Sequence, residues 1–149
     1  VIDLKPAAVL ILAGTNDIGR GTALTIIQNN LTMIADLAEY HKIKPIFASL
    51  LPVADYHQPQ TRRRPPEQIR AMNQWLQQFC ARRHYTYVDY FTKVVDAKGF
   101  LQATLSDDGL HPNSAGYRLM APVAQEAIRA NVGGNAVPAQ PERKKKRLF

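Results

Sequence analysis

Ala7-Ala8-Val9-Leu10-Ile11-Leu12-Ala13, followed at once by Gly14-Thr15-Asn16-Asp17, is the stretch on which the fold turns. The run is apolar at every position and bounded by Pro6 and Gly14. A strand with one wet face would alternate. One apolar on both faces suits a parallel strand covered by helices on each side. The strand is expected over 8–13. Gly14 lacks a Cβ and so permits a tight turn where the strand ends. That turn carries Asn16, with Asp17 bracing it.

Outward from this run, strand and helix alternate. Residues 22–41 read as a helix, since Leu24, Ile27, Leu31, Ile34 and Ala38 recur at three- and four-residue steps and form one apolar stripe. Pro45-Ile46-Phe47-Ala48-Ser49 reads as a second strand. Residues 51–65, with several prolines and Arg62-Arg63-Arg64, read as a loop. Pro66 suits the first turn of a helix over 66–83, with Ile69, Met72, Leu76, Phe79 and Cys80 on its inner face. Residues 86–88 form a short third strand, and 89–107 are mostly irregular. Asn113 is a fair N-cap for a last helix to about residue 131. Leu119, Met120, Val123, Ala124, Ala127 and Ile128 should line its buried face, and Pro122 should kink it. The pattern is α/β with a parallel sheet. In such sheets ligands bind beyond the carboxyl ends of the strands. Asn16 follows one of those ends, and His111 precedes the last helix.

Asp108-Gly109-Leu110-His111-Pro112-Asn113 is the second informative stretch. It sets a carboxylate three positions before an imidazole, so both lie on one short turn. Acyl transfer needs a nucleophile, a base, a group that fixes the tautomer of the base, and donors for the oxyanion. His111 is the candidate base, Asp108 the acid that orients it, and Asn16 a side-chain oxyanion donor. Taken singly, each stretch also reads as turn chemistry and a helix cap. Ser49, Ser106 and Ser114 are the only serines. Ser106 lacks a strand-to-helix elbow, and Ser114 reads as a first-turn helix residue. Ser49, at the end of a strand, is the least poor internal nucleophile.

The two blocks, in this order and with Ala115-Gly116-Tyr117 after them, resemble the third and fifth sequence blocks of the SGNH (GDSL-type) hydrolase family. The resemblance covers roughly residues 6–128. It implies a flavodoxin-like three-layer α/β/α fold and a Ser-His-Asp esterase acting on short acyl or acetyl esters of carbohydrate or lipid-like alcohols. By motif, Asn16 would be the oxyanion asparagine, Asp108 the triad acid and His111 the base, with Gly14 and Asp17 supporting the turn. No cofactor or metal is implied. The family's Gly-Asp-Ser block and a second-block glycine both precede the Gly-x-Asn-Asp motif. Only thirteen residues precede Gly14 here, and none is serine. The expectation is therefore the C-terminal portion of one hydrolase domain, over 1–132, with its N-terminal strands and nucleophile upstream. The first strand would then be an open edge, calling for the upstream segment or for self-association. The alternative is a non-catalytic fragment or binding module that keeps the fold without a nucleophile.

Composition narrows the classes. The chain has 149 residues, 46% hydrophobic and 21% charged, as in an ordinary globular domain. Cys80 is the lone cysteine, so an internal disulfide is excluded. The net charge of +7 is concentrated in 142–149, which carries +4 and leaves +3 for the rest. The body is thus too weakly basic to read as a nucleic-acid binder. Residues 133–149 read as a disordered basic tail; contact of that tail with nucleic acid or an anionic membrane is the other reading. His41, His57 and His84 are scattered and read as solvated. Arg62-Arg63-Arg64 reads as an exposed charged loop, with recognition of an anionic substrate as the alternative. The chain opens on Val1 without an initiator Met, and its compartment is left open.

Overall fold

The computed structural model describes residues 1–133; all of the expected 133–149 tail beyond Gly133 lies outside the described residues. Three parallel strands, β1 (Ala8–Ile11), β2 (Lys44–Ala48) and β3 (Thr86–Val88), form one sheet in the order β1-β2-β3. The register sets Leu10 beside Ile46 and Phe47 beside Tyr87. The helices are α1 (Thr15–Gly19), α2 (Leu24–Tyr40), α3 (Pro66–Arg83), α4 (Phe91–Val94) and α5 (Ser114–Val132), with 3-10 turns at Ile2–Leu4 and Ala103–Leu105.

Side chains on successive residues of a strand point to opposite faces, and β2 divides the core accordingly. Phe47 joins Ile27, Leu31, Ala35, Ile69, Met72, Leu76 and Phe79 under α2 and α3. Ile46 and Ala48 join Val88, Leu101, Leu105, Met120 and Ala127 under α5. The result is a three-layer α/β/α sandwich. All of β2 beyond Lys44 is buried, whereas the four apolar residues of β1 are only half-buried. β1 is thus an edge of the sheet.

The expected elements are present, with four differences. The turn after β1 is a five-residue helix rather than a bare turn, so Asn16 and Asp17 lie inside α1. The stripe of α2 is completed by Ala35, while Ile34 is 41% exposed. On α5, Leu119 and Ile128 face outward, because the helix buries a narrower face centred on Gly116, Met120 and Ala127. Pro122 lies inside that helix, as expected, and the helix continues on both sides of it. The 51–65 loop is not simply an exposed connection. Leu51 to Ala54 and Gln60 are buried. Buried Asn73 of α3 clamps the start of this loop, accepting from the Leu50 N–H (2.7 Å) and donating to the Leu50 carbonyl (2.9 Å).

Candidate active site

At the carboxyl end of β1 the backbone turns at Gly14 with φ +120, a conformation L side chains rarely adopt. The Ile18 N–H then bonds the Gly14 carbonyl at 3.0 Å and starts α1. Ile18 is buried and anchors this short helix, which leaves Asn16 exposed at its first turn. The amide oxygen of Asn16 accepts from Nη2 of Arg64 at 3.4 Å. Asp17 contributes its carbonyl, which accepts from the Thr22 N–H at 3.0 Å and closes the α1–α2 turn.

The second half of the site is the turn before α5. Gly109 has φ +78, and a Cβ there would stand 2.2 Å from the Ala54 carbonyl oxygen. The Ala54 N–H in turn donates to the Gly109 carbonyl at 2.9 Å. The turn is therefore locked against the 51–65 loop. Asn113 caps α5, its side-chain oxygen accepting from the N–H groups of Ala115 (2.9 Å) and Gly116 (3.2 Å). Its amide nitrogen donates to the Thr104 carbonyl at 3.1 Å.

Within that frame Asp108 is saturated. Oδ1 accepts from the backbone N–H groups of Leu110 and His111, each at 2.8 Å, and from the Ser106 hydroxyl at 3.2 Å. Oδ2 lies 2.6 Å from Nδ1 of His111. The His111 backbone N–H first, then its ring, the Leu110 N–H and the Ser106 hydroxyl hold the carboxyl well below the usual carboxylate range. Asp108 is thus an anion that fixes the ring through Nδ1, and the His111 side chain is 74% exposed. Among the described groups none hydrogen-bonds its Nε2, which faces open space as a base requires.

The serines are disposed otherwise. Ser49 is wholly buried, with Oγ accepting the Phe91 N–H at 2.8 Å. Ser106 is buried within the Asp108 turn and accepts the Gly109 N–H at 2.9 Å. Ser114 is exposed at the start of α5. Cys80 is buried, and burial pushes its thiol up to about 11, so it stays protonated at neutral pH. His41, His57 and His84 are exposed, as expected. Among the described residues no three His, Cys, Asp or Glu side chains converge on a metal position.

A model of the GDSL-like Lipase/Acylhydrolase family matches residues 1–119. The chain belongs to that family. The GDSL-type chain shares its fold with a Bacteroides fragilis protein described as an acylhydrolase, at 31% identity and a TM-score of 0.83, over 89% of this chain and 66% of that one. A GDSL-like lipase from Bacteroides thetaiotaomicron is similar at 32% identity and a TM-score of 0.79, over 87% and 65% of the two chains. The chain therefore spans about two-thirds of the length of these relatives. The OSK domain of Drosophila Oskar matches with a TM-score of 0.66 over 81% and 61% of the chains, but at 16% identity that likeness is of fold alone. No curated protein matches.

Gln60 escaped the sequence reading of the GDSL-type site, and Arg64 was read only as part of a charged loop or as a contact for an anionic substrate. Gln60 is buried; its Oε1 accepts from Arg64 Nη1 at 3.0 Å, and its Nε2 donates to the Asp108 carbonyl at 3.1 Å. No periodicity marks either residue, since both lie in an irregular loop. Nothing in the Pro- and Arg-rich segment distinguishes Gln60 from Gln58 or Arg64 from Arg62 and Arg63.

Proposed function

We propose that this chain is the C-terminal part of a serine esterase that hydrolyses carboxylic esters of short acyl groups, its nucleophile supplied by residues upstream of Val1. The observation that carries the reading is the 2.6 Å contact of Asp108 with His111 Nδ1, with the imidazole otherwise open to solvent. Family membership supports the reaction class. In this reading His111 Nε2 takes the serine proton as the hydroxyl oxygen attacks the ester carbonyl. The tetrahedral oxyanion accepts a hydrogen bond from the Asn16 amide. Collapse breaks the ester C–O bond, and the leaving alkoxide takes the proton from His111. Water then repeats the sequence on the acyl-serine and releases the acid. Asp108 stabilises the imidazolium without itself becoming protonated.

The test uses the full-length protein with its upstream segment and a short-chain aryl ester. His111→Ala should remove nearly all turnover, because triad members act as a unit. Asn16→Ala should lower kcat by on the order of a hundredfold with a smaller effect on KM. More than a tenth of the rate left in His111→Ala contradicts the assignment. A second reading, a non-catalytic binding module, is favoured by the burial of Ser49 and Ser106. It predicts no esterase activity even with the upstream segment, whereas the first predicts inactivity only for the 149-residue chain alone.

A further inference from the structure

We propose that Arg64 is a positioning residue that fixes the orientation of the Asn16 amide and, through Gln60, ties it to the turn carrying Asp108 and His111. The inference rests on the esterase reading above. Its physical basis is a continuous chain of hydrogen bonds. Arg64 Nη2 donates to Asn16 Oδ1 (3.4 Å), Arg64 Nη1 donates to Gln60 Oε1 (3.0 Å), and Gln60 Nε2 donates to the Asp108 carbonyl (3.1 Å). These links join segments 48 residues apart on either side of the loop.

The polarity of the chain matters. A guanidinium has only donors, so the group it meets on Asn16 must be the amide oxygen. The Asn16 NH2 is then turned away from Arg64 and left to donate elsewhere. An isolated primary amide has no such preference and can present either end. An oxyanion donor must present only the nitrogen, and must do so before the charge develops.

Three further observations set Arg64 apart from its neighbours Arg62 and Arg63, which are exposed while it is half-buried. Its guanidinium lies against Gly19, where an added Cβ would stand 3.0 Å from the guanidinium carbon. Asn16 and Gly19 are three residues apart on α1 and share a face. Among the described residues Arg64 joins no ion pair; those seen are Arg83 with Asp36 and Glu39, and His111 with Asp108. Its Nε is buried and finds no partner among the described residues. A buried unsatisfied donor disfavours the folded state, so fold stability alone does not account for the placement. The orientation it imposes on Asn16 does. Gln60 in turn is bracketed by Asp55, whose carboxylate accepts the backbone N–H groups of Gln60 and Thr61, so the relay is anchored at its middle.

A double-mutant cycle on the full-length protein tests this. Arg64→Ala should lower kcat roughly ten- to a hundredfold with KM changed by less than about twofold, and in an Asn16→Ala background it should lower kcat by less than about twofold. Arg64→Lys should behave like Arg64→Ala, because an ammonium lacks the fork that spans Gln60 and Asn16. Arg63→Ala should leave kcat unchanged. A loss of equal size in both backgrounds overturns the proposal, as does full activity in Arg64→Ala or in Arg64→Lys. If Asn16→Ala is itself unimpaired, the oxyanion reading fails first and takes this one with it, which separates the two failures. A second readout needs no activity. The side-chain amide resonances of Asn16 in a 15N-labelled protein should shift or broaden in Arg64→Ala while the backbone spectrum beyond α1 and the loop stays in place. An unaltered Asn16 amide in a folded Arg64→Ala protein also overturns it.

Discussion

Asp108 gathers bonds from Leu110, His111 and Ser106 onto two carboxylate oxygens, and its charge is what those donors hold in place. Its folded-state pKa is depressed below the ordinary 3.8. A depressed carboxyl contributes stability that is present above the unfolded pKa and lost as pH falls through the folded value. The stability difference between wild type and Asp108→Asn should therefore be largest above about pH 4 and shrink on further acidification. Urea denaturation at pH 6 and at pH 3 measures it; a difference that widens at pH 3 contradicts the sign. The neighbouring hydroxyl of Ser106 belongs to this cluster rather than to nucleophilic chemistry. The sequence sets Ser106 aside as a nucleophile for want of a strand-to-helix elbow, but its bond to Asp108 depends on how the turn folds.

At the scale of elements, what was legible follows local rules. α3 begins at Pro66 and ends at Arg83 because a proline suits a first helical turn and an apolar period runs unbroken to Cys80. β1 and β2 follow from apolar runs, and the Asn113 cap from its residue type. Replacing Asn113 by Ala should cost about 1 kcal/mol of stability. The thermal transition should fall accordingly, and esterase activity of the full-length protein should fall with it, since the same residue closes the His111 turn onto Thr104. An Asn113→Ala protein of unchanged thermal stability would show that the cap contributes nothing. Less was legible where distant irregular segments meet. Gly-Thr-Asn-Asp reads as turn chemistry, and only the burial of Ile18 makes it a helix. The packing of Gly109 on Ala54 and the links from Gln60 and Arg64 depend on how two loops come together in space. No periodicity encodes that. The outward faces of Leu119 and Ile128 have a similar cause, because a helical stripe says which side is apolar but not how wide its partner is.

For the molecule as a whole, the open flank of the sheet should govern behaviour in solution. Among the described residues β1 pairs with β2 alone, and its Ala8, Val9, Leu10 and Ile11 are half-buried although apolar. α2 also carries exposed apolar residues, among them Met33, Ile34 and Leu37. An unpaired apolar strand is a template for another chain. The proposed occupant is the upstream segment, pairing along β1. Without it the 149-residue chain should self-associate or aggregate, and light scattering reads this directly. A monodisperse monomer with a sharp cooperative melting transition would refute the idea.

The Asp55 clamp bears on how such enzymes diversify. By gripping Gln60 and Thr61, Asp55 closes the exposed turn 56–59 at its base. Residues gained or lost at the tip are absorbed there, outside the clamp. Between Gln60 and Arg64 an inserted residue should instead disturb the link from α1 to the Asp108 turn, because those two side chains carry it. Length variation among descendants of this loop should thus gather at its tip, leaving its base at constant length, so that new surfaces can arise beside the site while its spacing is inherited unchanged.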